Sequence, residues 1–331
     1  MQPEKPVQPV DLVFCGHFAL DRVVYGDDVT ETLGGGVTFG SAAARSYSPD
    51  ACLGIVSVAG EDFKPEYEAF LRDLKVDLRG VRRVGGRSTR YVLTYHDGGR
   101  DLQLAARAPD LDPSQVPDDY YEARAFMLGP ICNEVPPQFV RDLAARAPDA
   151  CVGMDVQGFI RHFDPEGKVY LHDGRDPVET VLSHVDLLDE RLVLKASDAE
   201  AEALTGKSNP YEALRDLCRN DAVVVVTRGE KGSLVGRRGQ PIVKVPAFVP
   251  ERVLDETGAG DAYMAGFMLE YACGPDLAPG EGGDLRRAAL VGAAVASFLI
   301  EEKGPRGVKG RDEVLRRVAE QHYIDFQEDY R

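Results

Sequence analysis

Residues 254 to 269 read LDETGAGDAYMAGFML, and within this stretch a carboxylate follows directly on three small residues. Asp261 comes after Gly258, Ala259 and Gly260 and before an apolar run (Ala262, Met264, Ala265, Phe267, Met268, Leu269) suited to a buried helix. At a helix start the first N–H groups lack intrahelical partners and the helix dipole adds positive potential, so the position favours an anion. A carboxylate there either complements the first turn or takes the proton of a hydroxyl that the missing side chains allow close. A base beside an anion cradle is what phosphoryl transfer requires.

Other residues have types that suit a small polar ligand. Asp21 lies five residues beyond Gly16, in GHFALD, either as a solvated loop carboxylate or as a hydroxyl acceptor. Gly34, Gly35 and Gly36 precede a helical stretch to Tyr47, as a tight turn or as backbone approached by a ligand. A dinucleotide loop is excluded, since its third glycine would fall at Phe39. Glu134 (LGPICNEVPP) and Asp155, Gln157 and Arg161 (GMDVQGFIRHFDP) sit where strands end; singly, Glu134 suits a helix cap and Asp155 a strand end. TGKS at 205–208 lacks the first glycine of a phosphate loop, which would fall at Ala201. Thr227 and Gly229 follow the run DAVVVVT, at the strand end where open α/β sheets hold ligands.

The elements that must position these residues alternate. Apolar strands are expected at Asp11–Cys15, Ala125–Leu128, Cys151–Val156, Val185–Leu188, Leu192–Lys195 and Ala222–Thr227, with a helix at Pro137–Ala145 and another at Leu285–Ile300. Such alternation predicts an α/β fold, a mostly parallel sheet between helical layers. Residues 90–106 read as a hairpin turning at Asp97-Gly98-Gly99, which with 22–33 predicts a small separate sheet. The charged C-terminal stretch from Gly310 predicts a helix and tail, and a disordered start precedes Asp11.

Composition narrows the partners. The 331 residues are 44% apolar, enough for one large domain with an appendage or two small ones, and the net charge of -16 supplies no global field for nucleic acid or an anionic membrane. Six scattered cysteines without metal spacing, and no apolar run of secretory or membrane-spanning length, predict a reduced cytoplasmic protein.

The segment around Asp261 resembles the C-terminal signature of the ribokinase-like (PfkB) carbohydrate kinases, and the order of the other motifs agrees from Leu12 to about Glu302. The resemblance implies a single three-layer kinase domain over 1–331 with a β-sheet lid within about 22–33 and 81–108, whose exposed face offers a homodimer surface. It implies Mg²⁺ and ATP as cofactors, Asp261 as general base, and Gly258, Ala259 and Gly260 as anion hole. Asp21, Gly34, Gly35, Glu134, Asp155, Gln157 and Arg161 are then expected at the acceptor. Lys195, Ser197, Thr227, Gly229, Gly232 and Gly292 are expected at the nucleotide, and Glu200 at magnesium through water, in an Asn-x-x-Glu motif with Ser197 replacing Asn. The segments ETLGGG, EVPP, DVQGFIRHFDP, LKASDAEA and TRGEKG look most like the myo-inositol kinase branch, which implies a polyol acceptor. A nucleoside or sugar kinase and a catalytically silent nucleotide-binding regulator are the alternatives. Phe39, Gly40 and Ser41 stand where the family often has an Asn for a sugar hydroxyl.

Overall fold

A computed structural model of the chain describes residues 9–96, 99–171, 175–274, 277 and 281–325. The turn residues Asp97 and Gly98, the start before residue 9 and the tail beyond 325 lie outside them.

In chain order the strands are β1 (Leu12–Cys15), β2 (Ala19–Tyr25), β3 (Asp28–Gly34), β4 (Leu53–Ala59), β5 (Val76–Arg83), β6 (Arg90–His96), β7 (Gly99–Ala106), β8 (Ala125–Leu128), β9 (Cys151–Asp155), β10 (Arg161–Phe163), β11 (Val169–Leu171), β12 (Leu192–Ser197), β13 (Val223–Thr227), β14 (Ser233–Arg237) and β15 (Val243–Val245). The helices are α1 (Gly36–Tyr47), α2 (Pro65–Asp73), α3 (Pro137–Arg146), α4 (Arg175–Leu188), α5 (Asp198–Thr205), α6 (Pro210–Leu217), α7 (Ala259–Tyr271), α8 (Leu285–Leu299) and α9 (Arg311–Glu320).

Nine strands make the central sheet in the order β15-β14-β13-β12-β9-β8-β1-β4-β5. From β13 to β5 every pairing is parallel, and β14 and β15 add an antiparallel edge. Strand side chains alternate between faces, so a sheet buried on both sides divides each run between two cores. Leu12, Phe14, Val223 and Val225 enter the core that holds α1, α7 and α8. Val13, Cys15, Val224 and Val226 enter the core beneath α3 to α6.

Residues 185–188 are a departure from the sequence reading. They end helix α4 rather than forming a strand, because Val181, His184, Val185 and Leu188 are buried at helical spacing. A short apolar run carries too little periodicity to separate the two.

Strand order reverses between β1 and β8, and the crevice at the carboxyl ends of such a pair is where open α/β sheets take ligands. The glycines that follow both strands meet there: Gly129 N–H donates to Cys15 O at 2.9 Å. A methyl group on Gly16 would stand 2.4 Å from Gly129 O.

Above this crevice lies a four-stranded sheet in the order β3-β2-β6-β7. Val81 to Arg83 finish β5 at the edge of the large sheet and are not part of it. Asp21, Val23 and Tyr25 on β2, Thr30 and Thr32 on β3, and Leu93 and Tyr95 on β6 alternate along their strands and share one face, turned toward Phe39, Tyr67 and Phe70 of the body. Between them is a cavity of about 820 Å³.

Candidate active site

Asp261 occupies the third position of α7, whose N-cap is Gly258 in the left-handed region at φ 82°. The helix is apolar on all sides because it packs inside the molecule, with Ala262 to Leu269 buried. Only its first turn, half-buried, reaches the crevice. A methyl group on Gly36, at the start of α1, would lie 2.7 Å from Asp261 Oδ1 and 3.0 Å from Gly129 O. Two helix starts and a strand end thus close around one carboxylate. Of the expected cradle donors, Ala259 N–H is already engaged, donating to Glu256 O at 3.2 Å.

Burial pushes the Asp261 carboxyl up to about 7, and the neighbouring Asp155 adds to the rise while Lys195 and Arg161 oppose it. A carboxylate so placed is a competent base near neutrality.

A pocket opens directly on this group, with Asp21, Gly35, Gln157 and Arg161 among its polar and backbone walls. Its remaining wall is apolar: Phe39, Tyr91, Leu93, Leu102 and Ile131. Arg161 is held by Nη1 donating to Ile131 O at 3.0 Å and lies over the Tyr91 ring at 5.9 Å. Gly34 touches this site from behind, since a methyl group there would stand 2.1 Å from Asp21 Oδ2. Gly35, at φ 91°, leaves room for His17 O, which a methyl group would meet at 2.4 Å. Asp21, Phe39, Leu93 and Thr257 also line the larger cavity under the small sheet, so the two spaces adjoin and share these walls.

Four residues expected at a ligand are placed differently. Glu134 is fully buried away from the pocket. Its Oε1 accepts His17 N–H at 2.8 Å and Ile131 N–H at 3.0 Å, and its Oε2 accepts Cys132 N–H at 2.7 Å. Asp155 and Lys195 do not line this pocket but form a buried ion pair, Nζ to Oδ2 at 2.6 Å. Gly292 lies where α8 meets α7: a methyl group there would stand 2.7 Å from Tyr263 O, so the missing side chain serves helix packing.

Glu134 belongs to a network where the small sheet joins the body. His17 Nε2 bonds Pro109 O at 2.9 Å, which makes Nε2 the protonated nitrogen, because a carbonyl can only accept. Nδ1 then accepts from the Thr89 hydroxyl at 2.8 Å, and Thr89 Oγ1 in turn accepts Ala108 N–H at 2.9 Å. His17, Cys132 and Glu134 have metal-like proximity, but these bonds already use the imidazole and both carboxylate oxygens.

On the other side of the α7 start is a cavity of about 550 Å³, largely apolar, with Phe248, Tyr263, Ala293, Ala296 and Ile324 along it. Thr227, Gly229 and Gly232 border it at the end of β13, and Ala259 and Gly260 form its boundary with the acceptor side. Phe248 and Ile324 are long-range contributors with no local signal, whereas Tyr263 lies two residues beyond Asp261 on α7. Ser197 and Glu200 close a capping box at the start of α5: Glu200 Oε2 accepts Ser197 N–H at 2.7 Å, and Ser197 Oγ accepts Glu200 N–H at 3.2 Å. Glu200 is buried rather than exposed, and burial raises its carboxyl, opposed by Lys195 and aided by Asp155.

Comparison with known proteins bears on this geometry. Residues 12–309 match the description "pfkB family carbohydrate kinase". A cytidine kinase of Thermococcus kodakarensis is 30% identical over 271 residues, 81% of this chain and 91% of that protein. A nucleoside kinase of Methanocaldococcus jannaschii is 39% identical over 302 residues, 86% of this chain and 87% of that protein. A solved pyrophosphate-dependent kinase of the ribokinase family, complexed with a pyrophosphate analogue and myo-inositol, superposes with TM-score 0.72 at 23% identity, covering 92% of this chain and 99% of that one. The central sheet, its helical layers and the small separate sheet are those of the ribokinase-like fold, and the match to the family spans most of the chain. The protein therefore belongs to the pfkB family of carbohydrate kinases, phosphotransferases with alcohol acceptors.

Proposed function

We propose that the protein transfers the γ-phosphoryl group of ATP to a hydroxyl of a nucleoside, with Asp261 as the base. The observation that carries the acceptor class is the aromatic-lined space of about 820 Å³ that adjoins the polar pocket at Asp21 and Asp261 and shares Asp21 and Phe39 with it. A polyhydroxylated ring fits against Asp21, Gln157 and Arg161, and an attached planar base has Phe39, Tyr67, Phe70 and Tyr95 to stack on. A single cyclitol ring leaves that space unfilled and sets hydroxyls against an apolar wall, which costs free energy where they stay unpaired. The nucleoside kinases among the relatives agree.

Myo-inositol, the acceptor that the motifs of residues 155–161 suggest, is the second reading, supported by the polar trio Asp21, Gln157 and Arg161. The test is turnover with Mg·ATP on cytidine, adenosine, ribose, fructose and myo-inositol. Turnover is expected to be highest on a nucleoside, and a preference for myo-inositol would overturn the acceptor assignment.

The donor is assigned to ATP because the cavity beyond Gly260 is apolar and large enough for a nucleotide base, whereas pyrophosphate would leave it unused. A hydrated magnesium ion would be held by Glu200, a buried oxygen donor whose charge acts on Asp261, since Mg²⁺ takes few protein ligands. Bound with the donor, it offsets phosphate charge. The chain itself contributes Asp261 to accept the hydroxyl proton and the Gly258–Gly260 turn to meet the transferring oxygens. The small sheet excludes water.

Because Asp261 acts ionised and titrates at about 7, acceptor kcat/KM is expected to rise with pH through a single limb near that value. The profile at saturating Mg·ATP checks this, and a limb near the ordinary aspartate value would exclude the perturbed base.

A further inference from the structure

Asp155 and Lys195 stand at the carboxyl ends of adjacent strands, paired in register across β9 and β12. Neither lines the acceptor pocket or the apolar cavity behind Gly260, yet both lie directly beneath the α7 turn: a methyl group on Gly260 would be 2.8 Å from Lys195 Nζ and 4.0 Å from Asp155 Oδ2. We infer that this buried pair is a positioning device for the catalytic base, fixing from behind both the seat of the Gly258–Asp261 turn and the net charge that Asp261 meets. The inference rests on the reading of Asp261 as the base.

Energetics argue that the pair is there for more than stability. Taking both charges out of water costs several kcal/mol, and apolar replacements of buried pairs are often neutral or stabilising. Its location, in contrast, is particular. The carboxylates of Asp155, Glu200 and Asp261 gather from β9, α5 and α7, and Lys195 from β12 is set among them, with Arg161 from β10 the other cation facing Asp261. Asp155 is itself fixed on its other oxygen, where Oδ1 accepts Gln157 N–H at 3.2 Å. That bond ties the pair to the loop carrying Gln157 and Arg161 to the acceptor. Around Asp261, Asp155 and Glu200 make proton release harder and Lys195 makes it easier. Such a pair works through Asp261 without touching substrate.

A merely structural pair would lower activity in both single variants without moving their pH profiles in opposite directions. The experiment is acceptor kcat/KM against pH at saturating Mg·ATP for wild type, Lys195→Met, Asp155→Asn, the double variant and Lys195→Arg, with melting curves as a folding check. The acid limb is expected to move up by about one pH unit in Lys195→Met and down by a similar amount in Asp155→Asn. Lys195→Arg should recover part of the lost turnover. Should a single variant fail to fold, the double variant, with both charges removed, decides: its limb is expected close to that of wild type. Limbs that stay fixed, or move in the same direction, would overturn the inference. Asp261→Asn separates this from failure of the underlying reading, since turnover retained there removes the base itself.

Discussion

Asp261→Asn is expected to lose about 10²- to 10⁴-fold in kcat while ATP still binds. The amide keeps the size of the side chain, so the close packing against Gly36 and Gly129 is preserved and only proton acceptance is removed. Because burial raises the carboxyl, the folded state carries its ionised form at a cost above pH 7, and the neutral amide avoids that cost. The melting temperature at pH 8 should therefore not fall. Steady-state turnover, calorimetric ATP binding and a melting curve on one preparation separate the two effects. Turnover within threefold of wild type would remove Asp261 from the chemistry, whatever the acceptor.

Gly258→Ala is expected to lower acceptor kcat/KM by about 10²-fold, since small misplacements of reacting groups have effects of that size. Two independent physical reasons converge on this residue. Its φ of 82° is a conformation that an L side chain rarely adopts, and the added methyl would stand 2.2 Å from atoms of the Phe39 ring. The turn must then shift, or the ring must swing into the acceptor pocket. Strain of this kind costs on the order of 1–3 kcal/mol, so stability falls with activity. The double variant Gly258→Ala/Phe39→Ala distinguishes the causes, because removing the ring relieves the collision and leaves the backbone cost. An unchanged kcat/KM in the single variant would show that the turn is not held to this geometry.

What the sequence made legible follows the range of the interactions. The β13 run VVVVT, the alternating strands of the small sheet and the glycine-led start of α7 are local patterns, and each is found where its pattern puts it. The end of α4 is misread because a four-residue segment with three apolar residues (Val185, Leu187 and Leu188) does not reveal a period. Asp155 and Lys195, forty positions apart, read singly as an acceptor group and a phosphate group; only the strand register joins them. Glu134 reads as a helix cap or a substrate ligand because the backbone N–H groups it binds, from residues 17 and 131 to 132, meet only once β1 and β8 pair in the central sheet. Phe39 is conspicuous in the sequence for not being Asn. Its positive role, as a wall shared by two spaces, requires the fold.

The loop that leads into α7 has a further consequence. Val253 and Glu256 border both the apolar cavity behind Gly260 and the space beneath the small sheet, and Val253 is 56% exposed. A segment that belongs to two cavities cannot be ordered by one occupant without being altered for the other. If either ligand orders this segment on binding, the second meets a smaller entropic cost. By linkage the benefit is mutual and equal in free energy, so donor and acceptor should each tighten the other's binding. ATP is then expected to bind more tightly when the acceptor is present, and calorimetric titration of ATP with and without acceptor checks this.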